Sequence, residues 1–153
     1  MKLTSSVFQN DETIPRVYTC EGENINPPLE ISGVPSGAKS LVLIMDDPDV
    51  PPSVRVDRMW DHWVVFDIPP DTHSFPENCT PKGTLGRSTS GHLGYEGPCP
   101  PDREHRYFFK LYALDCMLFL SEGASKTEVE RAMKKRVLAS TALMGRYEKR
   151  RAH

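Results

Sequence analysis

Three apolar runs organise this chain, and each begins or ends on polar, ionisable residues. Ser40–Met45 is continuously apolar and rich in β-branched residues, which predicts a buried strand closing on Asp46-Asp47 and a Pro-rich turn. Trp60–Ile68 predicts a second strand. A period of two places Trp60, His62, Val64, Phe66 and Ile68 on one face and Asp61, Trp63, Val65 and Asp67 on the other, so the first face is apolar except for His62. Arg106–Leu114 predicts a third strand, with His105, Tyr107, Phe109, Leu111 and Ala113 on one face. His105 and Tyr107 then point the same way from its beginning.

Between these runs the pattern is broken. Residues 1–36 read as loops and short strands, and Pro69–Gly97 is a long polar segment rich in Gly, Ser, Thr and Pro, longer than an ordinary connection. One helix is predicted from a capping box, Ser125 as N-cap and Glu128 three residues on. Val129, Ala132, Met133, Val137, Ser140 and Met144 continue a helical stripe, and Gly145 reads as its stop. Strands first, a helix last and Pro-rich turns throughout predict a mainly β protein, an antiparallel β-sandwich with a C-terminal helix, in one domain over 1–153.

Composition narrows the function classes. The 153 residues allow a real core, and 19 basic against 21 acidic side chains leave no basic excess for a nucleic-acid partner. The basic tail Arg146–Arg151 is short and interrupted by Tyr147 and Glu148. No stretch is long and apolar enough for an integral membrane segment, and Met1–Ser6 has no apolar leader-like region, so a cytoplasmic location is expected. Cys20, Cys79, Cys99 and Cys116 contain no CxxC spacing, which argues against structural zinc. A reducing compartment would keep them as thiols, while Cys20 or Cys79 could pair with Cys99 under oxidation. Cys116, inside the apolar run Leu114–Leu120, reads as core filling.

The candidate site is Asp47, His62, His105 and Tyr107 together with the Gly97–Pro101 loop. Each has an ordinary structural explanation: Asp47-Pro48 as a turn initiator, His62 as a satisfied core histidine, Tyr107 as core with a polar tip, the loop as a rigid connection. Their joint occurrence suits a pocket for a phosphate or carboxylate. Two imidazoles and a phenol supply donors, Gly97 admits close backbone approach, and the prolines hold it rigid. Asp47 would orient an imidazole and favour its charged form, and Asp47 or Asp49 could instead meet a ligand amine. His62, His92, His105, Asp47 and Cys99 are metal-capable, but no metal spacing such as HExxH occurs, so neither a metal nor another cofactor is expected. No GxSxG is present. A hydrolase using His62, His105 and Cys99 is one rival reading, and a protein-interaction module acting through the 69–97 loop is another.

A set of short motifs runs in order from about Tyr18 to Tyr147: Gly22-Glu23-Asn24 with Pro27-Pro28-Leu29, Gly33-Val34-Pro35, Asp46-Asp47-Pro48-Asp49, His62-Trp63-Val64, Gly97-Pro98-Cys99-Pro100-Pro101, His105-Arg106-Tyr107, Tyr112-Ala113-Leu114-Asp115 and Gly145-Arg146-Tyr147-Glu148. In these the chain resembles the phosphatidylethanolamine-binding protein family, in its bacterial and archaeal Raf-kinase-inhibitor-like branch. The resemblance implies a β-sandwich with an anion pocket whose Asp falls on Asp47, whose histidines fall on His62 and His105, and whose Tyr falls on Tyr107. The loop backbone falls on Gly97 and Cys99, and a wall aromatic on Trp60. It further implies a phosphate-bearing small molecule or lipid head group as partner and no settled enzymatic activity; bacterial relatives point to a homodimer. Three departures bear on ligand preference: Glu96 where the family often has Gly, Lys135-Arg136 where many relatives carry Gly-His, and His92 in the Ser88–Gly94 segment.

Overall fold

The computed structural model describes residues 1–150. In chain order the strands are β1 (Lys2–Thr4), β2 (Glu12–Thr13), β3 (Leu29–Ser32), β4 (Ser40–Asp47), β5 (Trp60–Ile68), β6 (Ser74–Phe75), β7 (Thr84–Leu85), β8 (His105–Leu114) and β9 (Val137–Tyr147). The helix α1 (Lys126–Met133) lies between β8 and β9. A three-stranded sheet, β1-β3-β6, packs on a six-stranded sheet, β2-β9-β8-β4-β5-β7. All pairings are antiparallel except the short β2–β9 contact. Arg151, the end of the basic tail, lies outside the described residues.

The core between the sheets is built by alternation. Leu41, Leu43, Met45, Phe109, Leu111 and Ala113 from the large sheet meet Leu3, Leu29, Ile31 and Phe75 from the small one. On the other side of the large sheet, Val42, Ile44, Val64, Phe66 and Leu114 meet Val129 and Met133 of α1. β4 is buried on both faces, which explains its unbroken apolar run.

The faces expected for β5 are corrected by two irregularities in its pairing with β4. Trp63, Val65 and Ile68 face the inter-sheet core, while Val64 and Phe66 face the helix. Register shifts between Leu41 and Leu43 and between Met45 and Asp46 break the strict period of two.

The helix starts where the capping box places it. Ser125 Oγ accepts from the Glu128 amide at 3.2 Å, and Glu128 Oε1 accepts from the Ser125 amide at 3.5 Å. It ends at Met133, two turns later, and its expected continuation is instead β9, so the chain closes on a strand rather than the helix. The residues 137–147 satisfy a helical stripe, but they pair along the full length of β8, with alternate members Leu143, Gly145 and Tyr147 buried against its first half. Tertiary pairing overrides the local period. Lys135, at φ +67°, turns the chain between the two elements. Gly145 is no helix stop: a Cβ there would sit 2.4 Å from Ile14 Cγ1, so glycine permits β2 and its flanks to close on β9.

The 69–97 segment contains β6, β7 and an isolated bridge between Arg87 and Leu93. The Leu114–Leu120 run is not core throughout: Phe119 is exposed and Cys116 only half-buried.

Candidate functional site

The ends of β4 and β5 and the start of β8 lie side by side, which brings the three motifs together. Asp47 faces Trp60 across the β4–β5 ladder. One step on, the register passes from Asp46 opposite Asp61 to Met45 opposite Trp63, leaving His62 as the extra residue of a bulge. That bulge re-aims His62 towards the side that carries Asp47 and Tyr107. Asp47 also caps its own turn, accepting from the Asp49 amide at 2.7 Å. Asp49 in turn accepts from the Arg106 guanidinium at 2.8 and 2.9 Å and from the Arg106 amide at 2.8 Å, tying the Pro-rich turn to β8.

The result is a cavity of about 260 Å³. All seven residues expected from the sequence line it: Asp47, Trp60, His62, Gly97, Cys99, His105 and Tyr107. Pro100 and Pro101 of the expected loop, with Val50 and Val54, which the sequence did not point to, complete walls that are mainly apolar.

The Gly97–Pro101 loop is fixed from behind. The Gly97 amide donates to Asn24 Oδ1 at 2.9 Å, and a Cβ on Gly97 would lie 2.3 Å from both that oxygen and the Tyr18 carbonyl. The Cys20 amide donates to the Pro98 carbonyl at 3.1 Å. Cys20 and Cys99 form a disulfide with their Cα atoms 5.4 Å apart. This is one of the two pairings left open for oxidising conditions, in place of free thiols, and it removes Cys99 as a nucleophile; the free cysteines among the described residues are Cys79 and Cys116. It also limits the loop's supply of bare amides, because Gly97 is engaged and three of the five residues are prolines. The Cys99 amide, which approaches the Tyr107 hydroxyl, is the one that faces inward.

The two histidines are not equivalent. His62 Nδ1 donates to the Glu96 carbonyl at 2.6 Å, which leaves Nε2 with no protein partner among the described residues. Burial holds its pKa below the ordinary imidazole value, against the opposing pull of the Glu96 carbonyl and Asp47. Asp47 does favour the charged form of His62, as expected from the sequence, but burial outweighs it. His105 is fully buried between two carboxylates, with Nδ1 2.6 Å from Asp47 Oδ2 and Nε2 2.6 Å from Asp102 Oδ1. Both nitrogens donate at once only in the doubly protonated ring. The hydrogen bond to His105 holds the Asp102 carboxyl below its usual value. Asp102 was absent from the sequence reading, although its place three residues before His105 is a signal for a turn contact.

Tyr107 lies between the two imidazoles, its ring centroid 5.3 Å from His62 and 6.4 Å from His105. Its hydroxyl is buried and meets no partner in full hydrogen-bond geometry. Burial, then the nearby Asp47 charge, pushes its pKa well up, so it is a neutral donor. Glu96, the departure beside the loop, turns its carboxylate away to Ser88 and Ser90, whose hydroxyls donate to Oε2 at 2.9 and 2.6 Å. His92 lines a different cavity, with Asn24, Trp63 and Cys79. Lys135-Arg136 lies in the turn before β9.

Residues 4–148 match the family model for phosphatidylethanolamine-binding protein. The chain belongs to the phosphatidylethanolamine-binding protein family. Among its relatives in this family, a UPF0098 protein of Chlamydia trachomatis is 48% identical over 149 residues, covering 97% of this chain and 99% of that one. A UPF0098 protein of Methanothermobacter thermautotrophicus is 50% identical over 155 residues, with the same coverage. The crystal structure of CT736 from Chlamydia trachomatis superposes with a TM-score of 0.94 at 47% identity, covering 97% of both chains. That of YbcL from E. coli, described as a new member of the mammalian PEBP family, gives 0.87 at 30% identity over 97% of this chain and 98% of that one. The phosphatidylethanolamine-binding fold thus extends over nearly all of this sequence.

Proposed function

We propose that this protein is a binding protein for phosphate-bearing small molecules or lipid head groups, held in the cavity between Asp47 and Tyr107, and that it binds without turnover. The observation that carries the reading is the Tyr107 hydroxyl: a buried donor in a lined cavity that, among the described residues, meets no partner in full hydrogen-bond geometry. Such a group is costly unless a ligand satisfies it. His62 Nε2 and the Cys99 amide stand beside it as further donors once His62 is protonated. Trp60, Val50, Val54 and the prolines would pack against the group that bears the phosphate.

The hydrolase rival loses its parts. Cys99 is tied to Cys20, and both nitrogens of His105 are committed to carboxylates, so among the described residues no nucleophile–base pair of the proposed kind remains around His62. Binding is tested by calorimetry with phosphoethanolamine and with sulfate. Saturable binding is expected, weakened at least tenfold by His62→Ala, the equivalent of one charge-assisted hydrogen bond. No heat with either ligand overturns the reading. His105→Ala is a poor probe, because it strands the buried Asp47 carboxylate.

No helix among the described residues is long and apolar enough to cross a membrane, and a cytoplasmic location stands as a proposal. The Cys20–Cys99 bond is the test of that placement, since disulfides persist chiefly in oxidising compartments. A homodimer and a protein partner for the 69–97 segment stand as proposals to be read from sedimentation and pull-down.

A further inference from the structure

We propose that Asp102 is a built-in competitor for the anion: its carboxylate holds the His105 Nε2 position that an incoming acidic group needs, and so sets which acids the cavity admits. This rests on the anion-binding reading above. The contact is 2.6 Å long and joins unlike partners: the His105 ring is 0% exposed, whereas the Asp102 side chain is 39% exposed. The ring cannot move, because Asp47 grips Nδ1 from the other side at 2.6 Å. Asp102 can. It follows the rigid Pro100-Pro101 pair and precedes β8, in a stretch without secondary structure. Rotating its carboxylate outward leaves it in water beside the exposed Arg103, whose Nε already lies 3.8 Å from Oδ2. Asp102 does not itself line the cavity, but Pro101 and His105, on either side of it in sequence, both do, so its withdrawal would clear a path from the cavity to Nε2. The Tyr107 hydroxyl, which meets no partner in full hydrogen-bond geometry among the described residues, is the sign, separate from Asp102 itself, that the same cavity takes a ligand.

The competitor decides ligand class. A free monocarboxylate offers His105 the same group as Asp102 but lacks the tether, which acts as a local concentration in the millimolar range or above. It gains nothing by exchange. A dianionic phosphate or sulfate brings more charge and more acceptor oxygens to the imidazole, Tyr107 and the Cys99 amide, and displaces Asp102. The cavity therefore selects phosphate-type acids over carboxylates.

The test is calorimetry with sulfate on wild type, Asp102→Asn and Asp102→Ala, followed by competition with acetate. Asp102→Ala should bind sulfate about tenfold more tightly or better, the equivalent of one charge-assisted hydrogen bond no longer broken. Asp102→Asn, which keeps the shape and a neutral acceptor, should fall between. Acetate should compete in Asp102→Ala and fail to compete in wild type. A nitrogen NMR spectrum of wild type should show the His105 Nε2 resonance moving on sulfate addition. If wild type binds sulfate but neither variant binds more tightly, or the resonance stays in place, Asp102 is no competitor and the anion reading survives. If none of the three proteins binds sulfate, both proposals fall.

Discussion

Asp46 and Asp47 are adjacent in β4 and serve opposite faces of one sheet. Asp47 reaches His105 in the candidate cavity, while Asp46 accepts from Lys110 at 2.9 Å and Lys126 at 3.1 Å on the helix side. Asp61 repeats the division one strand over: its carboxylate lies 2.9 Å from Lys126, while the next residue, His62, is turned into the cavity by the bulge. The helix is thereby anchored to the same strand ends that carry the site.

Lys126 should be a keystone for stability. Burial pushes its pKa down, but Asp46 and Asp61 more than offset that and leave it raised. A raised lysine value contributes stability that is complete below its unfolded pKa and lost only as pH climbs through the folded one, so the contribution is present at neutral pH. Lys126→Met leaves two carboxylates short of a cation, with Lys110 still holding Asp46, and should cost about 3 kcal/mol. Urea unfolding at pH 7 checks it. Adding Asp61→Asn should recover part of the loss, and an unchanged midpoint in the single variant would refute the role.

His62 predicts a pH signature of the opposite sign. Its folded pKa lies below the ordinary imidazole value, chiefly through burial. Between the two values the unfolded chain binds the extra proton, so stability falls as pH drops through about 6.5 towards the folded pKa. His62→Gln should remove that slope, leaving a flatter dependence of the urea midpoint from pH 7 to pH 5 than in wild type. For sulfate, whose charge is constant, affinity should go on rising below about pH 6.5 rather than levelling there. Parallel stability curves for the two proteins would show that His62 titrates as a free imidazole.

The strands of the large sheet were legible because burial wrote itself into them. β5 spans the run Trp60–Ile68 that the pattern outlined, and β8 differs only in starting at His105. The grouping of the candidate residues around one cavity was legible for the same reason: Asp47, His105 and Tyr107 each sit near a strand end, on the face fixed by alternation. What escaped were features that depend on pairing. A bulge is invisible in one strand alone, so Val64 and Phe66 went to the wrong face. β9 carries a helical stripe by coincidence, and only the partner strand β8 decides against it. The Cys20–Cys99 bond joins residues 79 apart, and nothing local distinguishes it from other pairings of four cysteines.

That bond should matter to the loop it anchors. Replacing Cys20 and Cys99 together with Ser should cost about 2–5 kcal/mol, because a long loop of the unfolded chain is no longer closed. In unreduced wild type, alkylation mapped by mass spectrometry should label Cys79 fast, Cys116 slowly and Cys99 hardly at all. Cys99 labelling at the rate of Cys79 would mean the bond is not formed in the protein as isolated.

The capping box gives a smaller effect that tests the helix alone. Ser125→Ala removes the oxygen that satisfies the Glu128 amide and should cost about 1 kcal/mol. Gly should be tolerated better than Ala at this position, since the cap backbone is extended rather than helical. Equal urea midpoints for all three proteins would place the start of the helix elsewhere.

Tyr107→Phe should separate stability from binding by moving them in opposite directions. The hydroxyl is buried and without a partner in full hydrogen-bond geometry, so the folded protein carries a desolvation cost that phenylalanine, of nearly the same shape, does not. The Asp47 carboxylate and the Cys99 amide lie close enough to repay part of that cost, which limits the expected gain to about 1 kcal/mol in urea unfolding. The ring itself, between His62 and His105, keeps its packing. Sulfate and phosphoethanolamine, by contrast, lose a neutral donor that the cavity presents at no further ordering cost, and their affinity should fall severalfold. A residue retained only for packing would show neither change, and one retained as a structural hydrogen bond would lose stability on substitution. Only a group held ready for a ligand gives a more stable protein that binds less well. A lower urea midpoint for Tyr107→Phe, or undiminished sulfate binding, would remove Tyr107 from the binding machinery.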